Sequence, residues 1–99
     1  MAPNWEPFIY LGGYMINLHE LDITCSHEIS LYSSTILSVD VINNIPYISF
    51  IENEEDYISY DIHIINADEK IYFNEIYTVF LGTIVIENTL YYIFYNKKY

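Results

Sequence analysis

From Leu37 to Phe50 apolar and polar side chains alternate with a period of two, interrupted at "NN", Asn43 and Asn44. That period belongs to strands with one covered face. A two-residue turn at Asn43 and Asn44, both tolerant of positive φ, sets Val41 opposite Pro46, Val39 opposite Ile48 and Leu37 opposite Phe50. One face is then wholly apolar. The other pairs Asp40 with Tyr47 and Ser38 with Ser49. The next run, Tyr57 to Ile65, divides in the same way, with Ile58, Tyr60, Ile62 and Ile64 on one side and Tyr57, Ser59, Asp61 and His63 on the other. Three consecutive strands are therefore expected to share one buried face and one wet, acidic, tyrosine-bearing face, as in an antiparallel sheet with a solvated surface.

The last third differs. Ile76 to Ile86 and Thr89 to Tyr95 are apolar on both sides, so both faces are expected to be covered, by the rest of a rolled sheet or by another copy of the chain. Turn signals recur at Gly12 and Gly13, Asn43 and Asn44, "ENEED" from Glu52, "NADE" from Asn66, and Glu87 and Asn88. Such spacing predicts a meander. Helix signals are weak, with few alanines against many Ile, Val, Thr, Tyr and Phe, although one helical turn at Asn17 to Leu21 is compatible with the pattern. The expected fold is all-β: a small antiparallel meander, a rolled or barrel-like sheet with little or no helix, in a single acidic domain over residues 1–99. At this length about 60% of the unfolded surface is buried, enough for one core.

Charge changes the picture more than length does. The net charge is −11, with no arginine and lysine only at 70, 97 and 98. Abundant Ile, Asn and Tyr accompany A/T-rich codons, which would also bring lysine, so its scarcity points to exclusion of positive charge. Direct nucleic-acid binding is not expected, because displacing counterions from a phosphate backbone takes several Lys or Arg contacts. A negative field instead draws basic proteins and speeds the encounter. A lone cysteine, Cys25, excludes an intramolecular disulfide. No basic residue precedes Lys70, so "MAPNWEPFIYLGGYM" lacks the n-region of a secretory signal. A membrane span over Ile76 to Tyr95 would bury Glu87, at a cost of roughly 2.5 to 3.5 kcal/mol. The expected location is the cytoplasm, without membrane association.

The segment Phe50 to Glu75 gathers the acids. Glu52, Glu54, Glu55 and Asp56 fall in one loop, Asp68 and Glu69 in the next, and Asp61 on the strand between them. Charged turns of this kind ordinarily guard sheets against edge pairing and keep them in solution, but solubility is served by mixed charge and here nearly all of it has one sign. Residues two apart on a strand stand roughly 6 to 7 Å apart, near phosphate spacing, so a row of carboxylates would stand in for a nucleic-acid backbone. Tyrosines such as Tyr47 and Tyr57, with Tyr60 or Tyr72 nearby, would add stiff, semi-exposed contact area, where the ordinary alternative is cross-strand packing.

Other chemistries are poorly supported. His19, Cys25 and His27 would share one face of an extended strand, but His19 and Cys25 would then lie about 20 Å apart, too far for one zinc ion. Ser26 beside His27 lacks nucleophile-elbow glycines, Glu54 and Asp56 sit in a hydrophilic turn where nothing raises a pKa, and Gly12, Gly13 and Gly82 match no phosphate loop. No enzyme, metal or cofactor is expected.

The resulting expectation is an acidic protein inhibitor that occupies the basic surface of a nucleic-acid-handling protein by mimicry. Its setting would be phage or viral counter-defence, such as an anti-CRISPR protein against a CRISPR-type effector, or immunity against a nuclease toxin. The partner-binding residues would be Glu52, Glu54, Glu55, Asp56, Tyr57, Asp61, Asp68, Glu69, Asp40 and Tyr47. The alternative is a structural or assembly protein, viral in origin, forming a homodimer or larger homo-oligomer through its apolar C-terminal hairpin.

Overall fold

A computed structural model describes residues 15–70 and 78–98. The chain is all-β, and no helix occurs among the described residues. The strands are β1 (Met15–Glu20), β2 (His27–Tyr32), β3 (Thr35–Ile42), β4 (Ile45–Glu52), β5 (Tyr57–Asn66), β6 (Val79–Ile86) and β7 (Thr89–Lys98). They form two antiparallel sheets, in the orders β1-β4-β3 and β2-β5-β7-β6. Asn17 to Glu20 is strand rather than helical turn, and the turn expected at Gly12 and Gly13 lies outside the described residues, as does Tyr72.

Two tight hairpins are where the turn residues place them. Asn43 and Asn44 have φ of 52° and 66°, and Glu87 and Asn88 have 49° and 68°. Paired positive φ values make type I′ turns, whose twist matches that of the flanking strands. The register from the first turn runs as expected through Val41 opposite Pro46, Asp40 opposite Tyr47, Val39 opposite Ile48 and Ser38 opposite Ser49. It then slips. Ile36, not Leu37, stands opposite Phe50, and Leu37 is expelled in a bulge. The bulge lets Ile36 and Val39 both reach the core, which strict alternation forbids.

The core lies between the sheets. Ile36, Val39, Ile48 and Phe50 of the first meet Ile29, Leu31, Tyr60, Ile62, Ile64, Ile84, Ile86 and Ile93 of the second, with Leu21 closing one end. The inward side of β5 is the set its alternation predicts. Tyr60 belongs to that set. It is fully buried, donating its hydroxyl to the Ser33 carbonyl at 2.6 Å, and so is unavailable as a surface contact. At one edge β6 comes close to β3, where a Cβ on Gly82 would stand 3.2 Å from Val39 Cγ1.

The chain alternates between layers: β1 in the first sheet, β2 in the second, β3 and β4 back in the first, β5 to β7 in the second. This corrects the expectation that β3, β4 and β5 share one wet face. The outer face of β3 and β4 and the outer face of β5 point away from each other, because β5 packs across the core from β4 instead of beside it.

The C-terminal hairpin also departs from expectation. Its inward side, Ile84, Ile86 and Ile93, is buried, while on the other side Phe80 and Val85 remain 53% and 57% exposed. Among the described residues only one of its two apolar faces is covered. Phe80 packs against Phe94 and Tyr92 of β7, at 5.1 and 6.5 Å between ring centroids.

Candidate partner-binding surface

The link between β4 and β5 carries the chain from one sheet to the other, and Asn53 shapes it. The Asn53 amide N–H donates to the Tyr32 carbonyl at 2.7 Å, tying the link to the end of β2. Its side-chain carbonyl accepts from the Glu55 N–H at 3.1 Å, its side-chain amide donates to Asp56 Oδ2 at 3.0 Å, and its backbone carbonyl accepts from the Asp56 N–H at 3.0 Å. Asparagine suits this position because its short amide reproduces a backbone turn. With the turn held from within, Glu54 and Glu55 extend into solvent.

Next to this loop β5 begins with Tyr57, opposite Tyr32 at the end of β2. The two rings lie 4.5 Å apart at 47°, yet remain 63% and 49% exposed. Cross-strand aromatic pairs of this kind stabilise a sheet by roughly 0.2 to 1 kcal/mol. Here the pair also forms a stiff apolar platform beside free carboxylates. Further along the same face, Ser30 and Ser59 share a hydroxyl hydrogen bond of 2.8 Å, and Glu28 stands opposite Asp61. Two like charges in register repel. Lys98 relieves this by donating to Glu28 Oε1 at 2.8 Å, and the Glu28 hydrogen bond, the Glu28 charge and then the Asp61 charge hold its ammonium above the usual lysine value. Asn96 donates to Asp61 Oδ2 at 3.3 Å and lies 2.7 Å from His63 Nε2. Lys98 and Glu28 thus offset each other, and next to this face the loop adds Glu54 and Glu55, exposed and without an ion pair among the described residues.

The expected binding residues are not brought together as one set. Glu54, Glu55, Asp56 and Tyr57 are contiguous, Glu52 joins them at the end of β4 while accepting from Asn17 Nδ2 at 3.0 Å, and Asp61 is on the Tyr57 face. Asp40 and Tyr47 pair with each other on the outer face of the opposite sheet, where Ser38 donates to Asp40 at 3.0 Å. Asp68 and Glu69 lie beyond the far end of β5, about 30 Å from the loop by strand rise. There Glu69 Oε1 accepts from the Asn66 N–H at 2.6 Å. Two participants were missed, Tyr32 and Glu28. The alternation in "HEISLY" already sets them apart from Ile29 and Leu31, but nothing in the sequence says that β2 pairs with β5.

His19, Cys25 and His27 do not share a strand face. His19 is on β1, Cys25 is exposed in the following link, and His27 opens β2 with Nδ1 2.9 Å from the Cys25 carbonyl. No group of three metal-ligating side chains occurs among the described residues. The His19 imidazole is held below its ordinary value of 6.5, first by burial and then by the His27 charge, against an opposing pull from Glu20. In the same link Asp22 accepts from the Thr24 hydroxyl at 2.6 Å and N–H at 3.0 Å, which keeps its carboxyl below the usual carboxylate range. No helix among the described residues is long and apolar enough to cross a membrane. The chain matches no protein-family model, no curated protein and no solved structure.

Proposed function

We infer that this protein works by binding: it is an acidic inhibitor that docks the end of the molecule carrying Glu52, Glu54, Glu55, Asp56, Tyr32 and Tyr57 onto the basic, nucleic-acid-handling surface of another protein. The observation that carries this reading is the exposed Tyr32–Tyr57 pair set directly beside carboxylates that make no ion pair among the described residues. Aromatic contact area desolvated on binding supplies affinity, and surrounding charge supplies steering and choice of partner. The mimicry is one of charge and patch rather than of a phosphate ladder, since Tyr57 and Ser59 separate the loop from Asp61 along β5. An effector complex of phage defence and a toxin nuclease both present such a positively lined groove.

The test is affinity capture from source-cell lysate followed by mass spectrometry, with wild type and the variant Glu54→Lys/Glu55→Lys/Asp56→Lys side by side. A nucleic-acid-binding protein held by the wild type, released by salt and lost with the variant supports the reading. Capture that is equal for the two proteins removes the loop from the site.

One observation favours assembly as a second reading: the outward apolar side of the β6–β7 hairpin, with Phe80, Val85 and Leu90 exposed. Contact through that side would persist or tighten in high salt, whereas the basic-partner complex weakens.

A further inference from the structure

The outer face of β2 and β5 is laid out in rows. Across the two strands Tyr32 stands opposite Tyr57, Ser30 opposite Ser59 and Glu28 opposite Asp61, and successive rows are two residues, or roughly 6 to 7 Å, apart. The two serines satisfy each other. Rings therefore occupy one end of the face and carboxylates the other, and neither tyrosine hydroxyl has a hydrogen-bond partner among the described residues.

The carboxylate row shows what it takes. Lys98 stands opposite Ser59 on β7, yet its Nζ donates to Glu28 Oε1 on β2, so its side chain crosses the outer face of β5 to reach a carboxylate two strands away. The chain itself seats a cation here. The hold is light, because both side chains remain about half exposed and an ion pair of that kind contributes little. At the ring end the demand is more specific. A guanidinium is planar, stacks on an aromatic face and still offers a fork of N–H donors to carboxylates, whereas an ammonium is a compact, strongly hydrated point charge. Surfaces that hold phosphate use arginine for the same fork.

We propose that the outer face of β2 and β5 receives arginine side chains of the basic partner, one guanidinium stacked on the Tyr32–Tyr57 pair with its N–H fork towards Glu54 and Glu55, another taking the place of Lys98 on Glu28. This rests on the reading of that end as the seat of a basic partner and narrows the contact to arginine. Lys98 is then an internal competitor that leaves when the partner docks. Lys97, opposite Tyr60, points to the other side of β7 and plays no such part.

Fluorescence anisotropy with labelled oligo-arginine and oligo-lysine peptides of equal length, at about 0.05 M salt, tests this on the whole chain. The arginine peptide should bind about three to ten times more tightly. Tyr57→Leu should erase that preference and leave the lysine peptide bound as before, with a cooperative melting curve showing that the fold survives. Lys98→Met should tighten the arginine peptide more than Lys97→Met does, although each removes the same charge. Equal binding of the two peptides by wild type, a preference that survives Tyr57→Leu, or equal effects at Lys97 and Lys98 overturns the arginine seat and leaves a basic partner in place. Failure to bind either peptide overturns the basic-partner reading itself.

Discussion

Tyr60 shows what one side chain does for the layering. Its ring fills the core while its hydroxyl reaches the Ser33 carbonyl in the link from β2 to β3, and Ser33, fully buried, also exchanges hydrogen bonds with Thr35. Tyr60→Phe leaves that buried carbonyl without its donor and should cost about 1 to 2 kcal/mol in urea denaturation. His19 adds a pH dependence. Its folded value lies below its ordinary 6.5, so above 6.5 both states are neutral and stability is complete. As pH falls below 6.5 the unfolded chain takes up the proton first, and stability declines until the folded value is passed. His19→Gln should flatten that decline relative to wild type, as followed by melting temperature between about pH 7 and 5. The carboxylate–tyrosine end was legible residue by residue as far as Glu54 to Tyr57 are neighbours in the chain. Tyr32 was not, because its place beside Tyr57 depends on a pairing about 25 residues distant, which alternation does not encode.

Among the elements, the hairpins were the most readable and the crossings the least. Asn-Asn and Glu-Asn between β-rich runs specify type I′ turns by chemistry alone, since few residues accept positive φ at both positions. Glutamate is the poorest fit of the four. Glu87→Asn should therefore raise stability by roughly 0.5 to 1 kcal/mol in the same denaturation assay, and Glu87→Val should lower it. The link after β4 could not be read in this way. Period-two alternation says which residues face inward but not which layer the strand joins, so "ENEED" fits a hairpin and a crossing equally well. The bulge at Leu37 escaped notice for a related reason: the run Ile36, Leu37 contains no polar residue to mark the slip. Close approach of β3 and β6 gives a further expectation. Gly82→Val pushes a branched side chain towards Val39 and should destabilise by about 1 to 3 kcal/mol in denaturant.

At the scale of the whole molecule, charge and layering decide what is shared between sites. A chain at −11 repels itself in the folded state, so raising salt from about 0.05 to 0.5 M should raise the melting temperature. Replacing Glu54 and Glu55 by lysine should leave it unchanged or higher, because the loop is held by Asn53 through the Glu55 N–H, the Asp56 carboxylate and the Tyr32 carbonyl rather than by the Glu54 and Glu55 charges. A fall of several degrees would mean that those acids are structural. Composition was a sound guide to the sign of the surface and to the all-β class, but it carries no information about which acids share a face. That is why Asp40, Asp68 and Glu69 were grouped with a loop from which the fold separates them.

The passage of the chain back and forth between layers also bears on how the molecule forms. Neither sheet is built from one uninterrupted stretch: β1 must wait for β4, and β2 for β5. Ring closures this long are entropically slow. Among the described strands neither layer is continuous in the chain, so neither should form first on the ribosome or outlast the other under a protease. Assembly should be all-or-none, and a single nick in any of the three crossings should dissolve both layers together.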